Sequence, residues 1–569
     1  MKTASEAERR QPAMFEEAET GLEADVPSDM KNDPDWWRGA VIYQIYPRSF
    51  NDTNGDGIGD LNGVSERMDY IASLGVDAIW LSPFFTSPMD DFGYDVSDYE
   101  DVDPMFGTLA DFDRMLAAAH ARGLKVIIDL VISHTSDQHP WFVESRSSRD
   151  NAKADWFVWA DAKPDGTVPT NWLSIFGGPA WEWDSRRRQY YMHNFLTSQP
   201  DLNFHNPEVQ DAVLGAARFW LDRGVDGFRL DTVNFYFHDK QLRDNPPLSA
   251  TEMPSTVDPT NPYGYQDHLY DKTQPENLLF LEKLRALLDK YPGTTSVGEI
   301  GADGQAVELT ASYTEAGKRI HMAYSFDLLT PQHSAPYIRK IVEEMNAGIG
   351  SGWASWALSN HDVKRVASRW GEDLDIARFA PLETALCASL RGTPCLYQGE
   401  ELGLPQAEVP FEKLQDPYGI RFWPEYKGRD GCRTPMPWVK DNSNAGFSEA
   451  EPWLPVAQDH LALAAFEQDK DESSILNRNR AFYAWRQAQE PLKKGDMVFL
   501  DSQANTLVFT RSHQGETVLC AFNLGTEPAT VTLNGLELEN LNAPGFNGTL
   551  EGATIVLQGL DALFARVKS

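Results

Sequence analysis

Several short apolar segments of the sequence end in carboxylates and imidazoles, the side chains that carry acid–base chemistry. The residues are Asp129 and His134 in segment 124–134, Asp231 in 225–231, Glu299 in 294–300, and Asn360, His361 and Asp362 in 353–362. Clustered carboxylates repel one another, so proteins keep them together mainly where chemistry requires it. Two reactions use paired carboxylates in a cleft, two-metal hydrolysis and glycoside cleavage.

The metal reaction has weaker support in the sequence. The stretch SHTSDQHP (133–140) offers His134 and His139, but it lacks the HExxH spacing of a zinc helix. The chain contains 17 tryptophans, and aromatic walls suit sugars. The sequence therefore favours glycoside cleavage over two-metal hydrolysis.

The elements that must position these residues are eight predicted strands, most of them separated by helices. Strands buried on both faces that alternate with helices indicate a parallel sheet, and eight such units indicate a closed (β/α)₈ TIM barrel. The predicted strands lie in 40–50, 76–85, 124–134, 225–231, 294–300, 321–328, 353–362 and 393–401. The predicted helices are 61–74, 109–123, 208–224 and 275–292. Strand carboxyl ends open on one face of such a barrel, so the polar residues should meet there.

Two stretches interrupt or follow the barrel pattern. Residues 135–205 are rich in Trp, Tyr, Gly and Asp without a long helix, which predicts an inserted domain after the third strand. Residues 496–569 alternate in short strands and predict a C-terminal antiparallel β domain, a β-sandwich. The barrel would then comprise 36–134 and 206–495, after an acidic N-terminal extension over 1–35.

Composition excludes several classes of partner. Asp and Glu number 85 against 50 Lys and Arg, a formal charge of -35, which argues against nucleic acid and anionic membranes. No apolar stretch is long enough to span a membrane. The four cysteines lack paired spacing and indicate free thiols, and the first 35 residues lack a signal-peptide core. We therefore predict a cytoplasmic protein, a monomer or a homodimer.

Five motifs in order resemble glycoside hydrolase family 13, the α-amylase family. DLVISH (129–134), GFRLDTVNF (227–235), VGEI (297–300) and SNHD (359–362) are similar to its four main regions, and QPDLN (199–203) to a fifth. GRDGCRTPMPW (428–438) and YQGEELG (397–403) are typical of its α-glucosidase branch. The resemblance runs from about residue 36 to the C-terminus.

The resemblance implies a catalytic triad. Asp231 would be the nucleophile, Glu299 the acid and then the base, and Asp362 would orient the sugar. Arg229 would keep Asp231 ionised, because an adjacent cation lowers the pKa of a carboxyl. Glu299 should have the raised pKa, since the acid must be protonated near neutral pH.

The same resemblance implies a substrate site. His134 and His361 would hydrogen-bond the sugar, Tyr94 would stack on it, and Asp91 with Arg429 would close the pocket over a single terminal glucose. Three aromatic residues would shape the neighbouring positions: Phe176, Phe195 and Phe326.

The residue after the nucleophile bears on linkage. Valine there tends to accompany α-1,6 substrates in related enzymes, and threonine or alanine α-1,4 substrates, so Thr232 implies α-1,4 linkages. Together with the closed pocket, this implies a retaining, exo-acting α-1,4-glucosidase for maltose and short α-glucosides. An α-1,6-specific glucosidase and a sucrose or maltose glucosyl transferase or isomerase remain alternatives. A non-catalytic relative would typically lack triad residues, whereas all three are present here.

A loop after the first strand predicts a cation site. DTNGDGIGD (52–60) offers oxygen ligands at alternating positions, which suits a hard cation, but Gly63 replaces the final glutamate of an EF-hand. The loop resembles the calcium loop of the α-glucosidase branch, which implies structural Ca²⁺, with Mg²⁺ as the alternative. The implied ligands are Asp52, Asn54, Asp56, the Ile58 carbonyl and Asp60.

Overall fold

Eight parallel strands form the central sheet of the computed structural model, which describes residues 33–249, 257–301, 304–503 and 505–568. The strands are β1 (Ile42–Ile45), β2 (Ala78–Leu81), β3 (Lys125–Leu130), β4 (Gly227–Leu230), β5 (Thr295–Ile300), β6 (Met322–Ser325), β7 (Ser355–Ala357) and β8 (Thr393–Tyr397). Their order is β6-β5-β4-β3-β2-β1-β8-β7. A parallel bridge between Ala323 of β6 and Ala354, just before β7, closes the sheet. The predicted (β/α)₈ barrel is confirmed, and each strand lies inside its predicted segment.

Successive residues of the strands pack on opposite sides of the sheet, as the pleat requires. Ile42, Ile127 and Val297 belong to an apolar cluster inside the barrel. Their neighbours Tyr43 and Ile128 belong to the larger cluster between the sheet and its helices. Both faces are buried, which explains why the strands read as continuous apolar runs.

The helices begin at clear capping residues. Thr108 caps the helix Leu109–Ala121 in a capping box with Asp111, and that helix buries Phe112 and Met115. The predicted helix 61–74 is two helices, because the backbone of Arg67 leaves helical geometry between them. The α-helices are Leu61–Glu66, Met68–Ser73, Leu109–Ala121, Pro140–Ser145, Pro207–Asp222, Asn277–Leu288, Ala306–Tyr313, Ala335–Gly348, Val366–Arg369, Ile376–Ser389, Pro417–Phe422, Ala465–Asp469, Ile475–Gln487 and Glu490–Lys494.

Smaller antiparallel sheets accompany the barrel. Strands Trp159–Ala160, Trp181–Asp184 and Gln189–Met192 form one within the insertion after β3, and Phe85–Thr86 pairs with Asp98–Val102 after β2. The C-terminal part contains a five-stranded sheet (Asp496–Phe499, Thr506–His513, Glu516–Asn523, Leu538–Asn540, Asp561–Val567) and a three-stranded sheet (Ala529–Thr532, Thr549–Glu551, Thr554–Leu557). The exact domain boundaries stay predictions, and most of the proposed extension over 1–35 lies outside the described residues.

Two buried arginines tie together segments that are distant in the chain, and Arg511 joins the barrel to the C-terminal sheet. Arg511, in strand Thr506–His513, donates from Nη1 to the carbonyls of Ser389 (2.6 Å) and Leu390 (2.7 Å), at the end of helix Ile376–Ser389. Arg486 donates to the carbonyls of Ala388 (2.7 Å) and Gly39 (2.9 Å). These bonds satisfy helix-end carbonyls that would otherwise lack partners.

The four thiols are free and buried, as predicted: Cys387, Cys395, Cys432 and Cys520. Within the described ranges, none of the helices combines the length and apolar character needed to cross a bilayer.

Candidate active site

One arginine binds three carboxylates at the carboxyl ends of neighbouring strands. Arg229 of β4 lies inside the barrel, with its guanidinium 5.0 Å from the ring centre of Trp80. Its Nη1 is 2.8 Å from Asp129 of β3 and 2.6 Å from Asp231, and its Nη2 is 2.7 Å from Glu299 of β5. All four charged side chains are buried. The two carboxylates predicted to react therefore share one cation.

The three carboxylates carry more negative charge than one guanidinium neutralises. Burial raises the pKa of Asp231 and of Glu299 to about 7, and that of Asp129 to about 6, while Arg229 opposes each shift. The expectation that Arg229 keeps the pKa of Asp231 low is wrong, because burial and the charge of Asp129 outweigh the cation. The raised pKa predicted for Glu299 is confirmed. All three carboxyls therefore bind a proton more readily than a carboxyl in water.

Asp362, after β7, has the opposite electrostatic surroundings. Its Oδ1 lies 3.2 Å from Arg429 Nη1 and 2.9 Å from Arg433 Nη2, and its Oδ2 lies 3.1 Å from His361 Nε2. Burial favours the neutral acid, but His361, Arg429 and Arg433 together hold the pKa of Asp362 well below its usual range. Burial lowers the pKa of His361 to about 3, so the arginines carry this effect near pH 7. Asp362 is thus held as an anion, in contrast to the three acids around Arg229, whose pKa values burial raises.

A buried ion-pair network connects the segments after β2 and β8. Arg429 Nη2 lies 2.8 Å from Asp91 Oδ1 and 2.8 Å from Asp416 Oδ1. The Arg429 guanidinium also lies 5.0 Å from the ring centre of Phe176. The predicted partners Asp91 and Arg429 are therefore brought together, and Asp416 supports them.

The two histidines predicted to bind the sugar, His134 and His361, form hydrogen bonds with other residues of the protein. His134 Nε2 is 2.9 Å from the Tyr94 carbonyl, and its Nδ1 is 2.8 Å from Ser133 Oγ. His361 stacks on Tyr94 with ring centres 5.2 Å apart, and the Tyr94 hydroxyl lies 2.5 Å from His361 Nε2. Burial lowers the pKa of His134 to about 4, so both imidazoles are neutral near pH 7.

Thr232 has an unusual backbone for a β-branched residue. Its φ is 38°, in the left-handed region that such residues rarely adopt. The turn directs its N–H toward Glu299 Oε2 (3.1 Å), and its hydroxyl lies 3.3 Å from Asp231 Oδ2. Strain of this kind persists where the surrounding structure requires it, as at active sites. Thr232 thus contacts both residues of the predicted reacting pair.

A cavity of about 550 Å³ opens at this end of the barrel. Arg229 and His361 lie behind its wall. Every other residue predicted for catalysis or substrate binding contributes to its lining: Asp91, Tyr94, His134, Phe176, Phe195, Asp231, Thr232, Glu299, Phe326, Asp362 and Arg429.

Some residues of the site were not assigned a role from the sequence. Tyr324 of β6 donates its hydroxyl proton to Glu299 Oε1 (3.0 Å) and accepts from Arg229 Nη2 (3.0 Å). Arg433 lies in the same quoted motif as Arg429 and could have been found there. Asp416 belongs to none of the recognised motifs, so no signal identified it.

The predicted cation loop, residues 52–60, forms a tight turn between β1 and helix Leu61–Glu66. Asp52 Oδ1 accepts from the N–H groups of Asn54 (3.0 Å) and Gly55 (2.7 Å). Asp60 accepts from Gly63 N (2.7 Å) and caps the following helix. No three His, Cys, Asp or Glu side chains in the described ranges are grouped to hold a metal ion. The donor set is all oxygen, which fits calcium chemistry, but Asn54 and the Ile58 carbonyl would have to complete it.

Comparisons with known proteins find relatives along nearly the whole chain. Residues 44–495 match the family model of the alpha-amylase catalytic domain. A probable alpha-glucosidase of Rhizobium meliloti is 56% identical over 541 residues, covering 95% of this chain and 98% of that protein. An oligo-1,6-glucosidase of Heyndrickxia coagulans is 38% identical over 528 residues, covering 86% and 92%.

Solved structures extend the comparison. A crystal structure of an alpha-glucosyl transfer enzyme is 57% identical, with a TM-score of 0.92, covering 94% of this chain and 99% of that one. A trehalulose synthase from Pseudomonas mesoacidophila is 34% identical, with a TM-score of 0.84 and the same coverage.

Proposed function

This chain belongs to the α-amylase family of glycoside hydrolases, and we propose that it is an exo-acting α-glucosidase that cleaves terminal α-1,4-linked glucose with retention of configuration. Its relatives make it an enzyme of the α-glucosidase and oligo-1,6-glucosidase type. The observation that carries the finer proposal is the contact of Asp231 and Glu299 with one guanidinium, beside the Asp91–Arg429 pair.

Shared contact with Arg229 supports a retaining mechanism. Retaining enzymes hold their two carboxyls about 5–5.5 Å apart, so that one attacks directly, whereas inverting enzymes leave room for a water. Asp231 and Glu299 bind the two terminal nitrogens of one planar group, and Thr232 N bonds Glu299 next to Asp231. This compact arrangement favours direct attack.

The reaction would proceed in two displacements. Asp231 attacks the anomeric carbon while Glu299 gives its proton to the departing glycosidic oxygen, which leaves a glucosyl ester on Asp231. Glu299, now a carboxylate, takes a proton from water as that water attacks the same carbon and frees Asp231. This step requires Glu299 to start protonated and Asp231 to start ionised.

Exo cleavage follows from how we interpret the Asp91–Arg429 pair. The pair lies in the cavity wall with Asp362 bound to the same Arg429, so cations and carboxylates converge on the hydroxyls of one sugar. A second sugar could not extend past that end. The substrates would be maltose and short α-glucosides, and Thr232 supports the α-1,4 linkage.

Glucosyl transfer is a second candidate, favoured by the 57% identity to an alpha-glucosyl transfer enzyme. It uses the same glucosyl ester, with a sugar hydroxyl replacing water in the second step. An α-1,6-specific glucosidase would differ only in linkage, as the oligo-1,6-glucosidase relatives suggest.

Proton NMR of maltose mixed with the enzyme tests the proposal. We expect α-glucose to appear before mutarotation, and Asp231→Asn to abolish its release. The reducing-end glucose carries the anomeric mixture of maltose itself, so early β-glucose in excess of that share would contradict retention. Consumption of maltose with growth of a new disaccharide would favour transfer, and faster release of glucose from isomaltose than from maltose would favour the α-1,6 alternative.

We also propose that loop 52–60 binds calcium as a structural ion, or alternatively magnesium, supported by its oxygen donors. When bound, the ion would cross-link the turn and take no part in the reaction. A cytoplasmic location is proposed on the four buried free thiols, which suit a reducing compartment. The state of a monomer or a homodimer stays a prediction.

A further inference from the structure

Asn261 is a fully buried amide that joins three separate segments around the cavity. Its Oδ1 accepts from Tyr263 N–H (3.0 Å), and its Nδ2 donates to the Ile175 carbonyl (2.8 Å) and to the Tyr418 hydroxyl (2.9 Å). The N–H can only donate and the carbonyl can only accept, so the orientation of the amide is determined. Ile175, Tyr263 and Tyr418 all line the cavity.

This arrangement leaves the Tyr418 hydroxyl proton available. A tyrosine hydroxyl has one proton to donate, and here its oxygen accepts from Asn261. Among the residues that the structure describes, none accepts the Tyr418 proton. The ring of Tyr418 packs on Phe176 with centres 5.3 Å apart, which holds the side chain at the cavity.

Tyr418 reaches the cavity from a connecting segment, whereas the catalytic carboxylates stand at strand ends. Asp231 and Glu299 lie at the ends of β4 and β5, whereas Tyr418 belongs to the helix Pro417–Phe422 in the long segment after β8. Its partners come from the insertion after β3 and from the connection between β4 and β5. In a barrel of this kind the connecting segments surround the cavity beyond the strand ends, which is where a second sugar would lie.

We propose that Tyr418 donates a hydrogen bond to the sugar next to the terminal glucose, and that Asn261 is the positioning residue that aims it. That sugar is the leaving group in the first step, and it is the acceptor when transfer occurs. The inference rests on the proposed function, because it deepens the substrate assignment of the same cavity. Tyr418 would therefore determine specificity for the second sugar.

The test compares substrates with and without a second sugar. We would measure kcat/KM for maltose, isomaltose and sucrose, and for α-glucosyl fluoride, whose leaving group is too small to reach Tyr418. Tyr418→Phe keeps the ring against Phe176 and removes the donor. We expect it to lower kcat/KM for the preferred disaccharide by about 5- to 10-fold, with α-glucosyl fluoride unchanged.

Tyr265→Phe is the matched control. Tyr265 lies in the short helix Pro262–Tyr265 that Asn261 caps, its hydroxyl donates to the Pro259 carbonyl (3.1 Å), and it does not contribute to the cavity lining. We expect the ratio of its kcat/KM for the preferred disaccharide to its kcat/KM for α-glucosyl fluoride, the disaccharide-to-fluoride ratio, to match that of the wild type. An equal loss for both substrate types in Tyr418→Phe, or no loss, would overturn the proposal.

Asn261→Asp tests the positioning role. A carboxylate there keeps an acceptor for Tyr263 N–H but loses the donor to Tyr418. We expect the disaccharide-to-fluoride ratio to fall, and to fall no further when Asn261→Asp is added to Tyr418→Phe, because both changes act on one bond. Additive losses would refute the link. If Asn261→Asp does not fold, Tyr418→Phe decides alone. Failure to hydrolyse any α-glucoside would instead refute the proposed function.

Discussion

Replacing Asp129 with asparagine removes one of the three negative charges that share the Arg229 guanidinium. Asp129 and Asp231 both bind Nη1, at 2.8 and 2.6 Å, so their nearest oxygens are at most about 5.4 Å apart. Two unit charges at that distance repel by about 3 kcal/mol at an effective dielectric constant of 20. That repulsion corresponds to about 2 pKa units.

The loss of this repulsion should move the pH profile toward acid. Asp129 raises the pKa of Asp231, so Asp129→Asn should lower it. Water in the cavity weakens the interaction, and we expect a shift of about 1 to 2 units. The acid limb of kcat/KM reports the group that must be ionised in the free enzyme, here Asp231. The assay is kcat/KM for an aryl α-glucoside measured across acid and alkaline pH.

The refuting result is an acid limb that stays in place or moves to higher pH. The new amide would also face the Trp80 N–H, which donates to Asp129 Oδ2 (3.1 Å), and a lost bond there costs about 1–3 kcal/mol. Asp226→Asn is the control for destabilisation. Asp226 is a buried carboxylate just before β4, paired with Lys125 (2.9 Å) at the opposite end of the barrel. That variant should lose stability and keep the pH profile.

Three further predictions follow from the site, the loop and the core. Thr232→Val should raise the ratio of isomaltose to maltose hydrolysis, and an unchanged ratio would refute the linkage argument. Chelation should lower the Tm of the wild type, and added Ca²⁺ should restore it. Asp56→Asn should make the Tm insensitive to chelator. If chelator does not change the wild-type Tm, the calcium proposal is wrong. Burial raises the pKa of Glu400 to about 8, so stability falls as pH rises from about 4.5 toward 8, where the folded state keeps a proton that the unfolded chain releases. Glu400→Gln should therefore raise the Tm more at alkaline than at acid pH, and equal shifts at both would contradict this.

The barrel strands could be predicted because each is a short apolar run buried on both faces. Several helices could not be read in the same way. Helix Ile376–Ser389 contains Pro381 and is buried along most of its length, so it shows no amphipathic period. Helix Ala335–Gly348 was also missed, although its apolar residues face the barrel.

Some features of the candidate site could also be predicted from the sequence, and others could not. Residues at strand ends were predictable, because a parallel barrel brings all strand ends to one face. The pKa of Asp231 was not, because Arg229 is its neighbour in sequence while Asp129 and Glu299 compete for the same cation across the barrel. The bonds from Asn261 to Ile175 and Tyr418 join it to two distant segments, so no local pattern reveals them.

The bonds from Arg511 to the end of helix Ile376–Ser389 have a consequence for biosynthesis. The ribosome synthesises all eight barrel strands before Arg511 exists, so a nascent barrel lacks the donor for the carbonyls of Ser389 and Leu390. The strand that carries Arg511 pairs with Glu516–Asn523, which in turn pairs with Asp561–Val567 near the end of the chain. We therefore expect active enzyme to form only after strand Asp561–Val567 has been synthesised, and chains truncated before that strand to be inactive.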